Sequence, residues 1–121
     1  MVHRVLVVDD HEEVRSAIAS MLTAEGFDVV GAARDGSEAV ALVRRERPDV
    51  VLLDIRLPGP DGFEVARELS GLDPAPVVVL ISSHEARVYD SQIARSPARA
   101  FISKSELSGA TLRRALAGVA R

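Results

Sequence analysis

Near its centre the chain reads Val50-Val51-Leu52-Leu53-Asp54, four branched apolar residues followed directly by an acidic one. A short apolar run without polar alternation is typical of a strand that is covered on both faces, as in parallel sheets. The turn-rich segment 55–62 then takes the chain away from the core. We therefore expect Asp54 at the carboxyl end of a buried strand, where open α/β sheets bind their ligands.

Segments typical of strands and of helices alternate along the rest of the chain. Strands are predicted at 5–8, 27–30, 50–54, 77–81 and 100–102, and helices at 11–25, 37–46, 62–70, 85–96 and from 109 onward, the last with Val119 on its apolar side. Asp61 and Ser108 are expected to cap the third and fifth helices. Five alternations predict an α/β fold, a flavodoxin-like (βα)5 three-layer sandwich. We assume a parallel sheet of strand order 2-1-3-4-5, in which strands one and three flank the ligand crevice.

The composition fits one globular domain over residues 1–121, with 47% apolar residues. The absence of cysteine excludes disulfides and thiolate metal sites. The net charge of -3 argues against bulk attraction to nucleic acid by this domain. The apolar runs fall far short of the roughly 20 residues that a membrane span needs, and the N-terminus lacks the layout of a signal peptide. We therefore expect a cytoplasmic protein that by itself binds neither membranes nor nucleic acid.

Polar residues follow four of the five predicted strands at the same end. Asp9 and Asp10 follow the first strand, Asp54 ends the third, and Ser82 and Lys104 follow the fourth and fifth. Three carboxylates in a small crevice repel one another, and a hard dication such as Mg²⁺ would relieve that repulsion. A lysine and a hydroxyl in the same crevice suit an incoming anion. Together these groups suggest a phosphoryl group with one carboxylate as its nucleophile.

Four motifs, taken in chain order, resemble the response-regulator receiver domain, the phospho-accepting module of two-component signalling. They are Val7-Val8-Asp9-Asp10, Leu52-Leu53-Asp54-Ile55-Arg56-Leu57-Pro58-Gly59-Pro60-Asp61-Gly62, Ser82, and Phe101-Ile102-Ser103-Lys104. The resemblance covers essentially the whole chain and is greatest to receivers of helix-turn-helix regulators of the LuxR/NarL type. It implies that a sensor histidine kinase phosphorylates Asp54 with Mg²⁺ or Mn²⁺ as cofactor, and that phosphorylation can promote a homodimer.

The resemblance also implies roles for the residues around Asp54. Asp10, Asp54 and the backbone carbonyl of Arg56 would hold the metal ion, while Asp9 would act mainly through water. Lys104 would pair with the phosphoryl oxygens. The output would be control of transcription through a DNA-binding domain absent from this chain, or, alternatively, protein–protein contact by a stand-alone receiver.

A switch between two conformations is implied as well. Ser82 would move to hydrogen-bond the phosphoryl group, Phe101 would pack inward, and the face formed by the fourth helix, fifth strand and fifth helix would report the change. The chain departs from the family twice here. Ser105 stands where the family often has a cis-proline, and a cis bond to a residue other than proline costs roughly 2.5–4 kcal/mol, so the local geometry is left open. Phe101 stands where a tyrosine would offer a hydroxyl.

Each of these residues also has a purely structural interpretation. Asp9 and Asp10 could cap a helix, Ser82 could belong to an ordinary turn, Lys104 could be a solvated surface lysine and Phe101 could be plain core. The occurrence of all of them at one rim of the sheet favours the functional interpretation.

The remaining polar residues give weaker signals. His3, His11 and His84 lack the spacing of metal ligands and are expected to face solvent, although His84 could lie near the phosphoryl group. From motif spacing we predict that His84 and Arg56 tune the lifetime of the phosphorylated state.

Two other functions are compatible with parts of the pattern but fit it less well. A phosphatase of the haloacid-dehalogenase type also uses an aspartate nucleophile and Mg²⁺, but it needs a second Asp two residues later, where this chain has Arg56, which cannot donate a proton at neutral pH. A flavodoxin-like flavin binder is disfavoured by the acidic groups at the phosphate turn and by the presence of one Tyr and no Trp. We therefore expect a signalling phospho-acceptor rather than a classical enzyme.

Overall fold

The computed structural model describes residues 2–84 and 86–117. Val119, which was predicted to lie on the apolar side of the last helix, falls outside the described residues. No helix in the described part of the chain is long and apolar enough to cross a bilayer.

Strands and α-helices alternate through the chain as predicted. Their bounds are β1 Arg4–Val8, α1 Glu12–Ala24, β2 Asp28–Ala33, α2 Gly36–Glu46, β3 Val50–Asp54, α3 Gly62–Ser70, β4 Val77–Ser82, α4 Asp90–Arg95, β5 Ala100–Ser103 and α5 Gly109–Leu116. All pairings are parallel, and the sheet has the order β2-β1-β3-β4-β5. The flavodoxin-like topology is thereby confirmed, with β1 and β3 side by side at its centre.

The core consists of two apolar clusters, one on each face of the sheet. Alternate residues of the central strands face opposite sides, so Val51 and Leu53 belong to one cluster and Val50 and Leu52 to the other. The first cluster is covered by α2, α3 and α4, and the second by α1 and α5. This three-layer packing explains why β1 and β3 are apolar throughout rather than alternating.

The predicted helix caps are present. The Asp61 side chain accepts a hydrogen bond from the backbone N–H of Glu64, and the Glu64 side chain accepts one from the backbone N–H of Asp61, which completes a capping box at α3. Ser108 forms a similar pair with Thr111 at α5. Gly26 follows α1 with φ at 93°, a left-handed conformation that glycine adopts without strain.

The structure differs from the prediction in two places. The strand predicted at 27–30 extends to Ala33, with an irregularity opposite Val5 and Leu6 in β1. The helix predicted over 85–96 is shorter: a 3-10 turn, Ala86–Tyr89, precedes α4. No residue of α4 is buried, so packing does little to lengthen or fix this helix.

Candidate functional site

Asp54 is the last residue of β3, and the backbone around it is tightly packed. Every residue of β3 is buried, because β1 and β4 flank it and helices cover both faces. The loop after β3 returns so closely that the Gly62 N–H donates to the carbonyl of Ile55 at 2.8 Å. A Cβ on Gly62 would lie 2.4 Å from the backbone oxygen of Asp54. Glycine is therefore required at 62 for the chain to close around Asp54.

The Asp54 carboxylate is 3% exposed, yet both of its oxygens are partnered. Its Oδ2 accepts from Nζ of Lys104 at 3.1 Å, and its Oδ1 accepts from the backbone N–H of Arg56 at 3.2 Å. Burial raises the pKa of Asp54, and the charge and hydrogen bond of Lys104 offset that rise only in part. The negative charge of Asp9 adds to the rise. The site therefore holds a carboxylate whose charge its surroundings do not fully compensate.

Asp9 directly follows β1 and is 0% exposed. Its Oδ2 lies 2.6 Å from Nζ of Lys104 but makes no hydrogen bond of normal geometry. Its Oδ1 accepts from the backbone N–H of His11 at 2.9 Å. Asp9 is thus the most buried acid of the site, and one of its oxygens is held by charge alone.

Lys104 follows β5 and lies between the two buried carboxylates. Its side chain is 20% exposed, so it is not a solvated surface lysine. Burial by itself would lower the pKa of Lys104, but the close ionic contact with Asp9 and the charge and hydrogen bond of Asp54 outweigh burial and raise it. The Lys104–Ser105 bond, whose geometry the sequence left open, is not among the cis peptide bonds of the described residues.

Asp10 and His11 lie at the more exposed side of the site. The Nδ1 atom of His11 is 3.0 Å from Oδ1 of Asp10 and 3.5 Å from Oδ1 of Asp9. These three side chains form a group that could hold a metal ion, with one ligand atom from each lying within 4.8 Å of the others. No sequence motif singled out His11 for this position, and the expectation that it is not a metal ligand stays a prediction. A histidine directly after an acidic pair at a helix start was the signal that could have found it.

The site opens to solvent through a cleft of about 340 Å³. Its lining residues are Asp10, His11, Asp54, Arg56, Ser83, His84 and Lys104. His84 faces solvent as predicted, and its Nε2 lies 3.3 Å from Nη1 of Arg56, so the two residues meet across the cleft mouth. Ser83 is a lining residue that no motif in the sequence predicts.

Ser82 and Phe101 lie beside the cleft rather than in its lining. Ser82 is 0% exposed and its Oγ accepts from the backbone N–H of His84 at 3.0 Å. Phe101 pairs in register with Leu80 and is half-buried against the cluster covered by α2, α3 and α4. The hydroxyl hydrogen of Ser82 is free to turn toward the cleft, because its present bond uses the oxygen as acceptor.

The His3 side chain stacks on Phe27, with ring centroids 6.1 Å apart, and is half-buried. The expectation that the histidines face solvent is therefore wrong for His3, whereas His11 and His84 are exposed as expected.

The donor set of the cleft fits a hard divalent cation. Carboxylates are concentrated at one rim, and the buried Oδ2 of Asp9 has a charge partner but no well-formed hydrogen bond. Mg²⁺ prefers oxygen ligands, takes one or two carboxylates and keeps several waters, for which an open cleft leaves room.

Comparison with known proteins gives a consistent answer. The family model described as the response regulator receiver domain matches residues 5–117. PdtaR of Mycobacterium tuberculosis, a transcriptional regulatory protein, is 43% identical over 77 residues, which cover 64% of this chain and 38% of PdtaR. The response regulator GacA of Pseudomonas aeruginosa is 38% identical over 102 residues, which cover 84% of this chain and 48% of GacA. The chain thus spans half or less of the length of these curated relatives.

Solved structures with the same fold include isolated and complexed receivers. The signal receiver domain of NarL from Mycobacterium tuberculosis superposes with a TM-score of 0.83 at 35% identity, covering 96% of this chain and 98% of that one. A chain of the CheX–CheY–BeF3–Mg²⁺ complex from Borrelia burgdorferi superposes with a TM-score of 0.80 at 28% identity, covering 97% of this chain and 88% of that one.

Proposed function

This chain belongs to the response regulator receiver domain family, and from that premise we propose that Asp54 is its phosphoryl acceptor. An oxygen of the Asp54 carboxylate forms a bond to phosphorus, while the bond between phosphorus and the donor nitrogen of a kinase phosphohistidine breaks. The electron pair of the broken bond stays on the imidazole. The product is an acyl phosphate on the end of β3.

The observation that carries this proposal is the position of Lys104 between two buried carboxylates, 3.1 Å from Asp54 and 2.6 Å from Asp9. A lone ammonium group at that point can move from the carboxylates to the phosphoryl oxygens as negative charge arrives. In phosphoryl transfer most of the catalysis is positioning and neutralisation of charge. The pocket supplies positioning and neutralisation of charge without a general acid or general base.

Asp10, Asp54 and the backbone carbonyl of Arg56 would hold Mg²⁺, with Asp9 contributing through a bound water. The ion would neutralise the charge that the phosphoryl group adds beside these carboxylates. Mn²⁺ has the same charge and accepts the same oxygen ligands, so it can take this place. The structurally similar CheX–CheY complex, which was solved with BeF3 and Mg²⁺, supports this assignment.

The switch that we propose uses Ser82 and Phe101. Ser82 turns its hydroxyl to donate to a phosphoryl oxygen, and Phe101 moves from its half-buried position toward the space that Ser82 vacates. The face of α4, β5 and α5 changes with them. Since α4 has only six residues and none is buried, its rearrangement disturbs little packing. This face is where a second phosphorylated copy would form a homodimer.

Arg56 and His84 would tune the lifetime of the acyl phosphate, because their contact spans the mouth through which hydrolytic water enters. Replacing both residues by alanine removes this contact and should change the rate of dephosphorylation. An unchanged rate in the double variant would show that neither residue controls access.

The partner that donates the phosphoryl group would be a sensor histidine kinase, and both proteins would act in the cytoplasm. Relatives such as PdtaR and GacA are named as regulators. Control of transcription through a DNA-binding domain outside this chain is the output that we propose, because the similar protein PdtaR is named as a transcriptional regulatory protein and this chain matches only 38% of its length. The receiver itself would bind neither nucleic acid nor membrane. Protein–protein contact by the receiver alone is the alternative output.

Intact mass spectrometry after incubation with acetyl phosphate and Mg²⁺ tests the proposal. The wild-type chain should gain the mass of one phosphoryl group, and Asp54→Asn should gain none. Asp61→Asn, which changes the half-buried carboxylate that caps α3, is the matched control and should still be phosphorylated, since asparagine is also a good N-cap residue. A chelator added before the phosphodonor should prevent the gain. Labelling of Asp54→Asn to the wild-type extent would refute Asp54 as the acceptor.

A further inference from the structure

We propose that His11 supplies a nitrogen ligand to the divalent cation at this cleft and thereby shifts the preference of the site from Mg²⁺ toward Mn²⁺. The inference rests on the proposed function, since it concerns the same cation. It adds His11 as a ligand, and with it a selectivity for Mn²⁺ over Mg²⁺ that the acidic residues alone do not provide. Three observations carry it.

The first observation is the distance between His11 and Asp10. The Nδ1 atom of His11 and Oδ1 of Asp10 are 3.0 Å apart. Two neighbouring ligands of an octahedral ion at about 2.1 Å from the metal are themselves about 3 Å apart. The two side chains therefore lie at the separation that adjacent ligands of one octahedral ion require.

The second observation is that the His11 side chain opens onto the cleft that Asp54 and Arg56 also line. It is 71% exposed, so it can rotate without disturbing packed neighbours. The group that it forms with Asp9 and Asp10 therefore belongs to the phosphoryl-accepting cleft rather than to a separate surface.

The third observation is that the His11 side chain does not cap helix α1. It occupies the N-cap position of α1, where a serine, threonine, aspartate or asparagine side chain would hydrogen-bond the first turn, but its side chain makes no cap bond. The imidazole is therefore not engaged in holding the helix, and its contacts within this corner are with the two carboxylates.

The chemical type of the ligand atom decides which cation binds more tightly. Mg²⁺ takes oxygen ligands and gains little from imidazole, whereas imidazole is a good ligand for first-row transition-metal ions and Mn²⁺ accepts mixed oxygen and nitrogen sets. A site made only of carboxylates and a carbonyl would discriminate only weakly between Mg²⁺ and Mn²⁺. With His11 in the set, Mn²⁺ should bind more tightly than the carboxylates alone explain.

A second imidazole at the cleft provides the matched control. His84 also lines the cleft, but its Nε2 faces the guanidinium of Arg56 rather than a carboxylate. His11→Gln and His84→Gln each remove one exposed imidazole and keep an uncharged polar side chain. The two variants therefore differ only in which imidazole is lost.

The experiment measures Mn²⁺ and Mg²⁺ binding by calorimetry and the nitrogen coupling of bound Mn²⁺ by electron spin-echo spectroscopy. Wild type and His84→Gln should show ¹⁴N coupling from a bound imidazole, and His11→Gln should lose it. In His11→Gln the Kd for Mn²⁺ should rise about tenfold, while the Kd for Mg²⁺ should change by less than about twofold.

The outcomes separate this inference from the proposed function. Bound Mn²⁺ without nitrogen coupling, or coupling that survives in His11→Gln, would overturn the role of His11 and leave the phospho-acceptor site intact. Tighter Mg²⁺ binding by His11→Gln would also overturn it, because His11 would then compete with the cation. Failure of the wild-type chain to bind either ion would instead refute the metal site of the proposed function.

Discussion

Replacing Lys104 by methionine tests whether one ammonium group compensates the two buried carboxylates. Methionine has a similar length and no charge. The substitution leaves Asp9, which is 0% exposed, and Asp54, which is 3% exposed, without the cation that lies 2.6 and 3.1 Å from them. Removing one partner of a buried ion pair costs about 3–5 kcal/mol, because the remaining charge is uncompensated. The cleft admits water, so we expect a loss near the lower limit, about 3 kcal/mol.

Urea unfolding followed by circular dichroism measures this loss, first in metal-free buffer at pH 7. For a chain of this size, about 3 kcal/mol corresponds to a melting temperature lower by roughly 10 °C. The difference between variant and wild type should narrow in acid, because protonation of Asp54 relieves its repulsion with Asp9. Saturating Mg²⁺ should stabilise the variant more than the wild type, since the ion replaces the missing positive charge.

Arg56→Met is the matched control for this experiment. Arg56 is a second cation at the same cleft, but it is exposed and its side chain contacts His84 rather than a carboxylate. Its loss should change the free energy of unfolding by less than about 0.5 kcal/mol. If Lys104→Met were as stable as Arg56→Met in metal-free buffer, the carboxylates would not depend on Lys104 and the electrostatic account of the site would be wrong.

Three further predictions concern stability. Burial raises the pKa of Asp54, so the protein loses stability as the pH rises through that pKa. Asp54→Asn should therefore have a higher melting temperature than wild type at pH 7, and the difference should close in acid. A lower melting temperature of Asp54→Asn at pH 7 would show that the attraction of Lys104 outweighs the effect of burial. Gly62→Ala should cost about 1–3 kcal/mol in urea unfolding and slow phosphorylation, because its Cβ would lie 2.4 Å from the Asp54 carbonyl, whereas Gly71→Ala, with 3.5 Å of clearance, should do neither. Ser108→Ala should cost about 1 kcal/mol by removing the cap of α5, and an unchanged urea midpoint would contradict that role.

The fold was predictable because its signals are local. Unbroken apolar runs such as β3 identify strands that are covered on both faces, and cap residues such as Asp61 mark where helices begin. The pairing order of the strands is not local and had to be assumed, although the structure confirms the assumption. Within the helix predicted over 85–96, a 3-10 turn, Ala86–Tyr89, replaces the first half. No residue of α4 is buried, so packing does little to lengthen this helix.

The sequence indicated which residues lie together in the site, but not the direction in which each side chain points. Asp9 and Asp10 are adjacent, and nothing in the sequence shows that Asp9 turns inward to Lys104 while Asp10 stays at the exposed side with His11. The direction of a side chain after a strand end depends on the turn that follows, which periodicity does not describe. The proximity of His11 to both carboxylates was not predicted for the same reason, since three consecutive residues at the start of a helix match no spaced ligand motif. The roles of the site residues in phosphoryl transfer stay predictions.

The most direct test of the central claim identifies the residue that carries the phosphoryl group. Borohydride reduces an aspartyl phosphate to homoserine, so the chain would be phosphorylated with acetyl phosphate and Mg²⁺, reduced, digested and sequenced by mass spectrometry. We expect homoserine at position 54 and unmodified aspartate at positions 9 and 10. Homoserine at either of those positions, or none in a fully phosphorylated chain, would contradict it.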